Sequence, residues 1–189
     1  MNPEQKFQWI KWLTWPFIFG LFVSGATAIP LQRELDLAVK LLGPPDLLHQ
    51  ASSTGLRFWI WKVHEGLAAA YAAFPSLAYG TDWLAFGHFV IAIAFFGALR
   101  DPVRNRWLYQ FGMIACVLVI PYAMIMGAMR GIPFYWRLID CSFGVFGIVP
   151  LWFCWKWTGE LEKANERRPK PFTKPSLKRH STRTRNAIR

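Results

Sequence analysis

Residues 82–157 read DWLAFGHFVIAIAFFGALRDPVRNRWLYQFGMIACVLVIPYAMIMGAMRGIPFYWRLIDCSFGVFGIVPLWFCWKW. Three long apolar runs lie within them, at residues 83–99, 107–129 and 134–155, and two short turns separate the runs. Each run is close to the roughly 20 residues that an α-helix needs to cross about 30 Å of hydrocarbon. Because lipid offers the backbone no hydrogen-bond partners, such runs must be helical. The sequence therefore predicts an integral membrane protein of the all-α class.

A fourth apolar run, Trp12 to Leu31, precedes this region and has two interpretations. Ala26-Thr27-Ala28 resembles the cleavage site of a signal peptide after a basic start. Against cleavage, the run is nearly long enough to span, and Gly20, Ser24 and Ala28 form a seam of small residues suited to packing on another helix. We expect the run to be retained as the first transmembrane helix.

The predicted architecture is therefore a transmembrane four-helix bundle over residues 1–158, followed by a disordered, cytoplasmic basic tail over residues 159–189. The four helices are expected at about residues 9–31, 82–100, 107–129 and 134–157, and the last is expected to continue briefly beyond residue 160. The segment between the first two helices, residues 32–81, is mixed in composition. An amphipathic piece ends near Leu42, and a helical pattern runs from Leu56 to Phe74. The second pattern contains aromatic anchors and charges, which is typical of an interfacial helix on the outer side.

The distribution of basic residues predicts the topology. Lys6 and Lys11 lie before the first run, and the turn 100–106 contains three Arg. From residue 156 onward there are 11 Lys and Arg against three Glu, a net charge of +8 out of +11 for the chain. The positive-inside rule places these three regions in the cytoplasm, so both termini are cytoplasmic. Residues 32–82 have four Lys and Arg against five Asp and Glu, which favours the outside.

Composition agrees with a membrane bundle and excludes disulfide scaffolds. Apolar residues make up 53% of the chain, and many of its 11 Trp lie at the ends of the runs, as in membrane aromatic belts. Cys116, Cys141 and Cys154 are an odd number of cysteines inside apolar runs, without CxxC spacing, which indicates packing residues. His64 and His88 would be the minimum for bis-histidine haem ligation, but no signature supports it. We expect no cofactor and no metal.

The lipid bilayer is the first expected partner. Next to a membrane, the basic tail is best explained as an anchor on anionic lipid, worth about 1 kcal/mol per Lys or Arg near the surface. Phosphate also attracts such tails in nucleic acids, but the sequence contains no folded reader of nucleic acid, so we do not expect that partner. The spacing Gly127-x-x-x-Gly131 indicates packing within the bundle and leaves contact with another membrane protein open.

Ionisable residues inside hydrocarbon are costly and mark the candidate functional site. His88, Arg137 and Asp140 lie about one to two helical turns, or roughly 5–10 Å, from the predicted outer ends of their helices, and Tyr122 lies in the outer half of the third helix. His64 and Glu65 lie on the outer interfacial helix. These six residues are expected to converge on the outer leaflet, while the inner half of the bundle is expected to be almost purely apolar.

Two interpretations of this site are open. Arg137 and Asp140, spaced i,i+3, can neutralise each other while His88 bonds between helices, which is a structural role. Alternatively, the residues form an outward-open pocket. Arg137 would then hold an anionic or carbonyl group, Asp140 would orient Arg137 or accept a proton, and His88 would donate or relay protons. A common cavity would favour the second interpretation, and a self-contained Arg137–Asp140 pair the first.

Four stretches carry a resemblance to a known family: His88-Phe-Val-Ile-Ala-Ile, Arg100-Asp-Pro-Val-Arg-Asn, Gly112 to Pro121, and Arg130-Gly-Ile-Pro-Phe-Tyr-Trp-Arg-Leu-Ile-Asp-Cys-Ser-Phe-Gly-Val. Over about residues 60–155 the chain resembles a family of uncharacterised small bacterial four-helix inner-membrane proteins. The resemblance implies a bacterial cytoplasmic membrane as the location. It assigns no role to any residue.

These observations lead to two hypotheses about function. The first is a membrane protein without catalytic activity, acting as a binding or accessory component with an outward-facing polar site. The second is a membrane enzyme or carrier that handles a lipid, a quinone or a small amphiphile at that site. The sequence contains no Gly-x-Ser-x-Gly motif and no recognisable Ser/His/Asp constellation, which favours the first hypothesis.

Overall fold

The computed structural model of the chain describes residues 1–43 and 55–167. Throughout these two ranges the regular structure is helical, which confirms the predicted all-α class. A short 3₁₀ helix, Pro75–Leu77, leads into the fourth α-helix. The α-helices of the described ranges are α1 Pro3–Ala28, α2 Leu31–Leu42, α3 Leu56–Ala73, α4 Ala78–Arg100, α5 Arg106–Met129 and α6 Phe134–Glu166.

Three segments are long and apolar enough to cross a membrane: Pro75–Arg100, α5 and α6. A fourth is added when α1 and α2, which meet at an angle of 87°, are counted as one bent span. The chain is therefore a multi-pass membrane protein, and residues 1–43 and 55–167 contain three or four candidate spans. The first run ends as a helix at Ala28, three residues before the predicted end, because the chain bends at Ile29 and Pro30.

A side-chain cap begins α1, and a glycine turn follows the end of α5. At the start of α1, Asn2 accepts a hydrogen bond from the backbone of Glu4, and the Gln5 side chain accepts one from the Asn2 backbone. Between α5 and α6, Gly131 adopts φ 68°, a left-handed conformation that favours glycine. The N–H of Ile132 then donates back to the α5 carbonyl of Gly127 at 2.8 Å.

The long helices pack mainly as two pairs, α1 on α4 and α5 on α6, and α1 also contacts α6. Lys6 near the start of α1 forms an ion pair of 2.6 Å with Glu160 near the end of α6. Arg106 at the start of α5 lies 3.2 Å from Glu162. The start of α1, the α4–α5 turn and the end of α6 therefore share one end of the bundle, called the basic end. The opposite end, which carries the turn between α5 and α6, is called the hairpin end.

The best-packed core lies in the half of the bundle near the basic end. Ile10, Phe95, Tyr109, Leu151 and Cys154 are all almost completely buried there. A Cβ on Gly112 would come within 2.9 Å of the Leu151 side chain, so this glycine permits the close approach of α5 to α6. Many other apolar side chains are exposed, which suits helices that face lipid.

Helices α2 and α3 form an antiparallel hairpin at the hairpin end. The Arg57 guanidinium donates to the carbonyl of Leu42, and further along His64 Nε2 lies 2.8 Å from Asp36 Oδ1. The Trp59 ring lies 6.5 Å from that of Trp136, which sets the hairpin near the start of α6. The expected breaks after Gly43 and the expected disordered tail lie outside the described residues, apart from residues 159–167. There, α6 continues to Glu166.

Candidate functional site

A cleft lies between α1, α4, α5 and α6, on the side of the core that faces the hairpin end. Its volume is about 380 Å³. Helix α1 supplies more than half of the lining, α6 supplies two residues, and α4 and α5 supply one each. The nine lining residues are Pro16, Phe17, Gly20, Leu21, Ser24, His88, Val119, Phe143 and Gly147.

Small residues and a packed floor create this space. A Cβ on Gly20 would meet nothing within 4 Å, so the α1 wall is open there. Below it the Phe17 ring lies 4.7 Å from the Phe95 ring, which closes the cleft toward the core. The prediction that Gly20 packs on another helix is wrong. The tight contact of α1 with α4 is instead made by Gly25, where a Cβ would come within 2.8 Å of Phe89.

His88 is the only titratable side chain among the nine lining residues. Its Nδ1 lies 2.8 Å from the carbonyl oxygen of Leu84, one turn earlier on α4. A carbonyl only accepts hydrogen bonds, so Nδ1 carries the proton in the neutral ring and Nε2 is left as an acceptor. The cleft therefore has a mostly apolar lining, with polar groups from the His88 imidazole and the Ser24 hydroxyl.

Arg137 lies at the α5–α6 interface and is not among the cleft-lining residues. Its Nη1 donates to the carbonyl of Met124 at 3.3 Å, and its guanidinium lies 5.4 Å from the centre of the Phe134 ring. Its Nε is buried and has no hydrogen-bond partner in the part of the chain that the structure describes. The side chain lies directly over Gly127, where any Cβ would collide with it.

The ion pair between Arg137 and Asp140, which the structural interpretation offered, does not form. The ion pairs within residues 1–43 and 55–167 include neither side chain. The physical reason is that the arginine is drawn across to the α5 backbone at Met124 instead of along its own helix. Asp140 is partly exposed and, within the same ranges, receives no hydrogen bond from another side chain.

Asp140 lies on the α6 stripe that faces the cleft. It precedes the lining residues Phe143 and Gly147 by three and seven positions, which places all three on one helical face. At 1.5 Å per residue, Asp140 is about one turn beyond Phe143 toward the hairpin end. It therefore lies next to the lining residues of α6 without being one of them.

The structure does not gather the six predicted residues into one site. His88 lines the cleft and Asp140 lies next to its lining residues on α6, whereas Arg137 lies between α5 and α6. Tyr122 is 67% exposed on α5. His64 and Glu65 belong to the hairpin, where Nδ1 of His64 lies 3.2 Å from Glu65. Both ring nitrogens of His64 thus face carboxylates, since Nε2 contacts Asp36.

A buried polar cluster near the basic end was not predicted. Thr14 Oγ1 lies 3.0 Å from Tyr109 Oη and 3.9 Å from Cys154 Sγ, and all three side chains are fully buried. The Tyr109 hydroxyl oxygen also lies 3.4 Å from the carbonyl oxygen of Ala98. The expectation that this half of the bundle is almost purely apolar is therefore wrong. The sequence signal for this cluster was weak, because Thr14 and Tyr109 are isolated polar residues 95 positions apart.

Residues 1–43 and 55–167 contain no group of three or more His, Cys, Asp or Glu side chains able to hold a metal ion. No protein-family model, no curated protein and no solved structure matches the chain. The resemblance to a family of small bacterial inner-membrane proteins stays a prediction. What the site can bind follows from the chemistry of the cleft.

Proposed function

We propose that this protein is a binding component of the bacterial inner membrane that holds an amphiphile in the cleft between α1, α4, α5 and α6. The observation that carries the proposal is the cleft itself. Its volume of about 380 Å³ lies within the range of small-molecule pockets, about 300–1,000 Å³, and eight of its nine lining residues lack a titratable group. Such a lining accepts an apolar chain.

His88 supplies the polar contact. Its Nε2 acceptor suits a hydroxyl or amine donor on the ligand, and a hydrogen bond in this low-dielectric surrounding is stronger than in water. Only one titratable side chain lines the cleft, so the lining offers no acid–base pair for catalysis. This favours binding over the competing hypothesis of an enzyme.

The proposal includes a topology. With α1 retained as a span, the angle of 87° directs α2 along the membrane plane, where its amphipathic face suits the interface. The hairpin then covers the outer end of the bundle. The basic end lies in the cytoplasm with both termini, in accord with the positive-inside rule. The tail would add contacts with anionic lipid.

The test of this proposal is a substitution that fills the cleft. Gly20→Leu places a side chain in the open space of the α1 wall without a steric clash, since nothing lies within 4 Å of the added Cβ. We expect the amount of amphiphile that co-purifies in mild detergent to fall about tenfold, which corresponds to about 1.4 kcal/mol. Mass spectrometry of the extracted protein measures it.

Gly80→Leu is the matched control. Gly80 is also an open helical glycine, on α4, and it does not line the cleft. It should leave the co-purified amphiphile unchanged. Equal amounts of bound amphiphile in wild type and Gly20→Leu, with both proteins folded, would overturn the proposal.

A further inference from the structure

We infer that the amphiphile is a zwitterionic aminophospholipid, whose phosphate binds Arg137 and whose ammonium group binds Asp140. This inference rests on the proposed function and names the head group that accompanies the chain in the cleft. It starts from two opposite charges on one end of α6 that are not paired with each other. Ionisable groups at membrane depth are costly unless a partner neutralises them.

Within the described part of the chain, the Met124 carbonyl is the single hydrogen-bond acceptor of the Arg137 guanidinium. A guanidinium has five N–H donors in a fixed fork, and the hydrogen bond to Met124 uses one of them. Nε is buried with no acceptor in the described part of the chain. Phosphate oxygens match the terminal N–H groups of this fork, since Nε itself is enclosed between α5 and α6.

Asp140 lacks a donor in the same ranges, and no cation forms an ion pair with it. It lies three residues beyond Arg137 on α6, about 5 Å further along the helix. A phospholipid head group with a primary amine carries a cation at a short distance from its phosphate, joined by a short carbon link. An anionic phospholipid without an amine would satisfy Arg137 and leave Asp140 uncompensated.

The depths of the two residues fit a head group followed by a chain. Arg137 and Asp140 lie about 5 and 9 Å from the start of α6 at Phe134. The polar layer of one leaflet is about 5–7 Å thick, so both residues are within reach of it and of the glycerol region. Beyond Asp140 the same helical face continues into the cleft at Phe143 and Gly147. An acyl chain can follow this face into the apolar part of the cleft.

Lipid competition tests the inference. The full-length protein, purified in mild detergent, is incubated with equal amounts of phosphatidylethanolamine and phosphatidylglycerol of identical chains, and native mass spectrometry counts the bound lipids. We expect wild type to prefer phosphatidylethanolamine about tenfold. Asp140→Asn keeps the shape of the side chain and removes its charge, so the preference should fall to near equality. Arg137→Gln should reduce the binding of both lipids.

Asp82→Asn is the matched control, because Asp82 is an exposed carboxylate in the first turns of α4 and does not line the cleft. It should keep the wild-type preference. Equal binding of the two lipids by wild type overturns the head-group inference without needing any variant. If Gly20→Leu still expels both lipids in that case, binding in the cleft stands. If Gly20→Leu expels neither, the proposed function itself fails.

Discussion

At the residue scale, Thr14 connects three helices through one hydroxyl group. It donates to the carbonyl of Ile10 on its own helix at 2.7 Å and shares a hydrogen bond with Tyr109 on α5. Tyr109 in turn reaches the carbonyl of Ala98 on α4. A buried polar group in a membrane bundle must find such partners, because lipid supplies none. The cluster therefore helps to fix how α1, α4 and α5 meet.

Replacing Thr14 by Val should destabilise the bundle by about 1 kcal/mol. The substitution keeps the volume and branching of the side chain but leaves the Tyr109 hydroxyl with only the Ala98 carbonyl, and hydrogen bonds between membrane helices are worth about 0.6–2 kcal/mol. The measurement is the midpoint of thermal unfolding in detergent.

The control is Thr27→Val on the same helix. Thr27 is exposed and donates to the carbonyl of Ser24 at 3.2 Å, so this variant loses a similar local bond without a buried partner. It should unfold close to the wild-type temperature. Identical midpoints for the two variants would show that the buried cluster contributes no stability.

At the scale of elements, the α5–α6 pair depends on a close approach of two backbones. A Cβ on Gly144 would overlap the carbonyl oxygen of Cys116 and come within 2.7 Å of Val119. Small residues allow such contacts between membrane helices, whose attraction comes from van der Waals packing. The pair is joined by the short turn around Gly131, so it forms an antiparallel helical hairpin.

Gly144→Ala should therefore destabilise the protein even though alanine favours helix formation. Overpacking costs about 1–3 kcal/mol, and the gain in helix propensity returns at most about 1 kcal/mol. Thermal unfolding in detergent measures the difference. Gly87→Ala on α4 is the control, since nothing lies within 4 Å of its added Cβ, and it should be neutral or slightly stabilising. The hypothesis of close approach fails if both variants are equally stable.

At the scale of the whole molecule, the alternation of the long helices brings basic segments to one end. The ion pairs of Lys6 with Glu160 and of Arg106 with Glu162 join the start of α1 and the start of α5 to the end of α6. The turn between α4 and α5, with Arg104, belongs to the same end. This clustering of positive charge is what the positive-inside rule uses to place an end in the cytoplasm.

Reporter fusions test this orientation. A reporter active only in the cytoplasm should give signal when fused after Arg106 or Arg189 and none when fused after Gln50, which lies between α2 and α3. A second reporter, active only outside the cytoplasm, should give the opposite pattern and serves as the control. Signal from the cytoplasmic reporter after Gln50 alone would reverse the proposed topology.

By itself, the sequence determined the helical class, the bounds of the third span and the start of the last one, whereas α1 and α4 begin several residues before their predicted starts. The predicted helix over residues 107–129 corresponds to α5, Arg106–Met129, and the predicted start at 134 is the start of α6. These properties are local: a run of apolar residues must satisfy its own backbone in lipid, and its length is set by the thickness of the hydrocarbon. The sequence also selected His88, because a histidine in an apolar run stands out without any knowledge of its neighbours.

Tertiary structure decided which residues meet. Gly20, predicted to pack on another helix, opens the cleft wall, and Arg137 turns to the Met124 carbonyl instead of to Asp140. Thr14 finds Tyr109 across 95 residues. The reason is that hydrophobicity places a helix in the bilayer without fixing its rotation or its neighbours. Those depend on the fit of side chains between helices, and that fit creates both the polar cluster and the cleft.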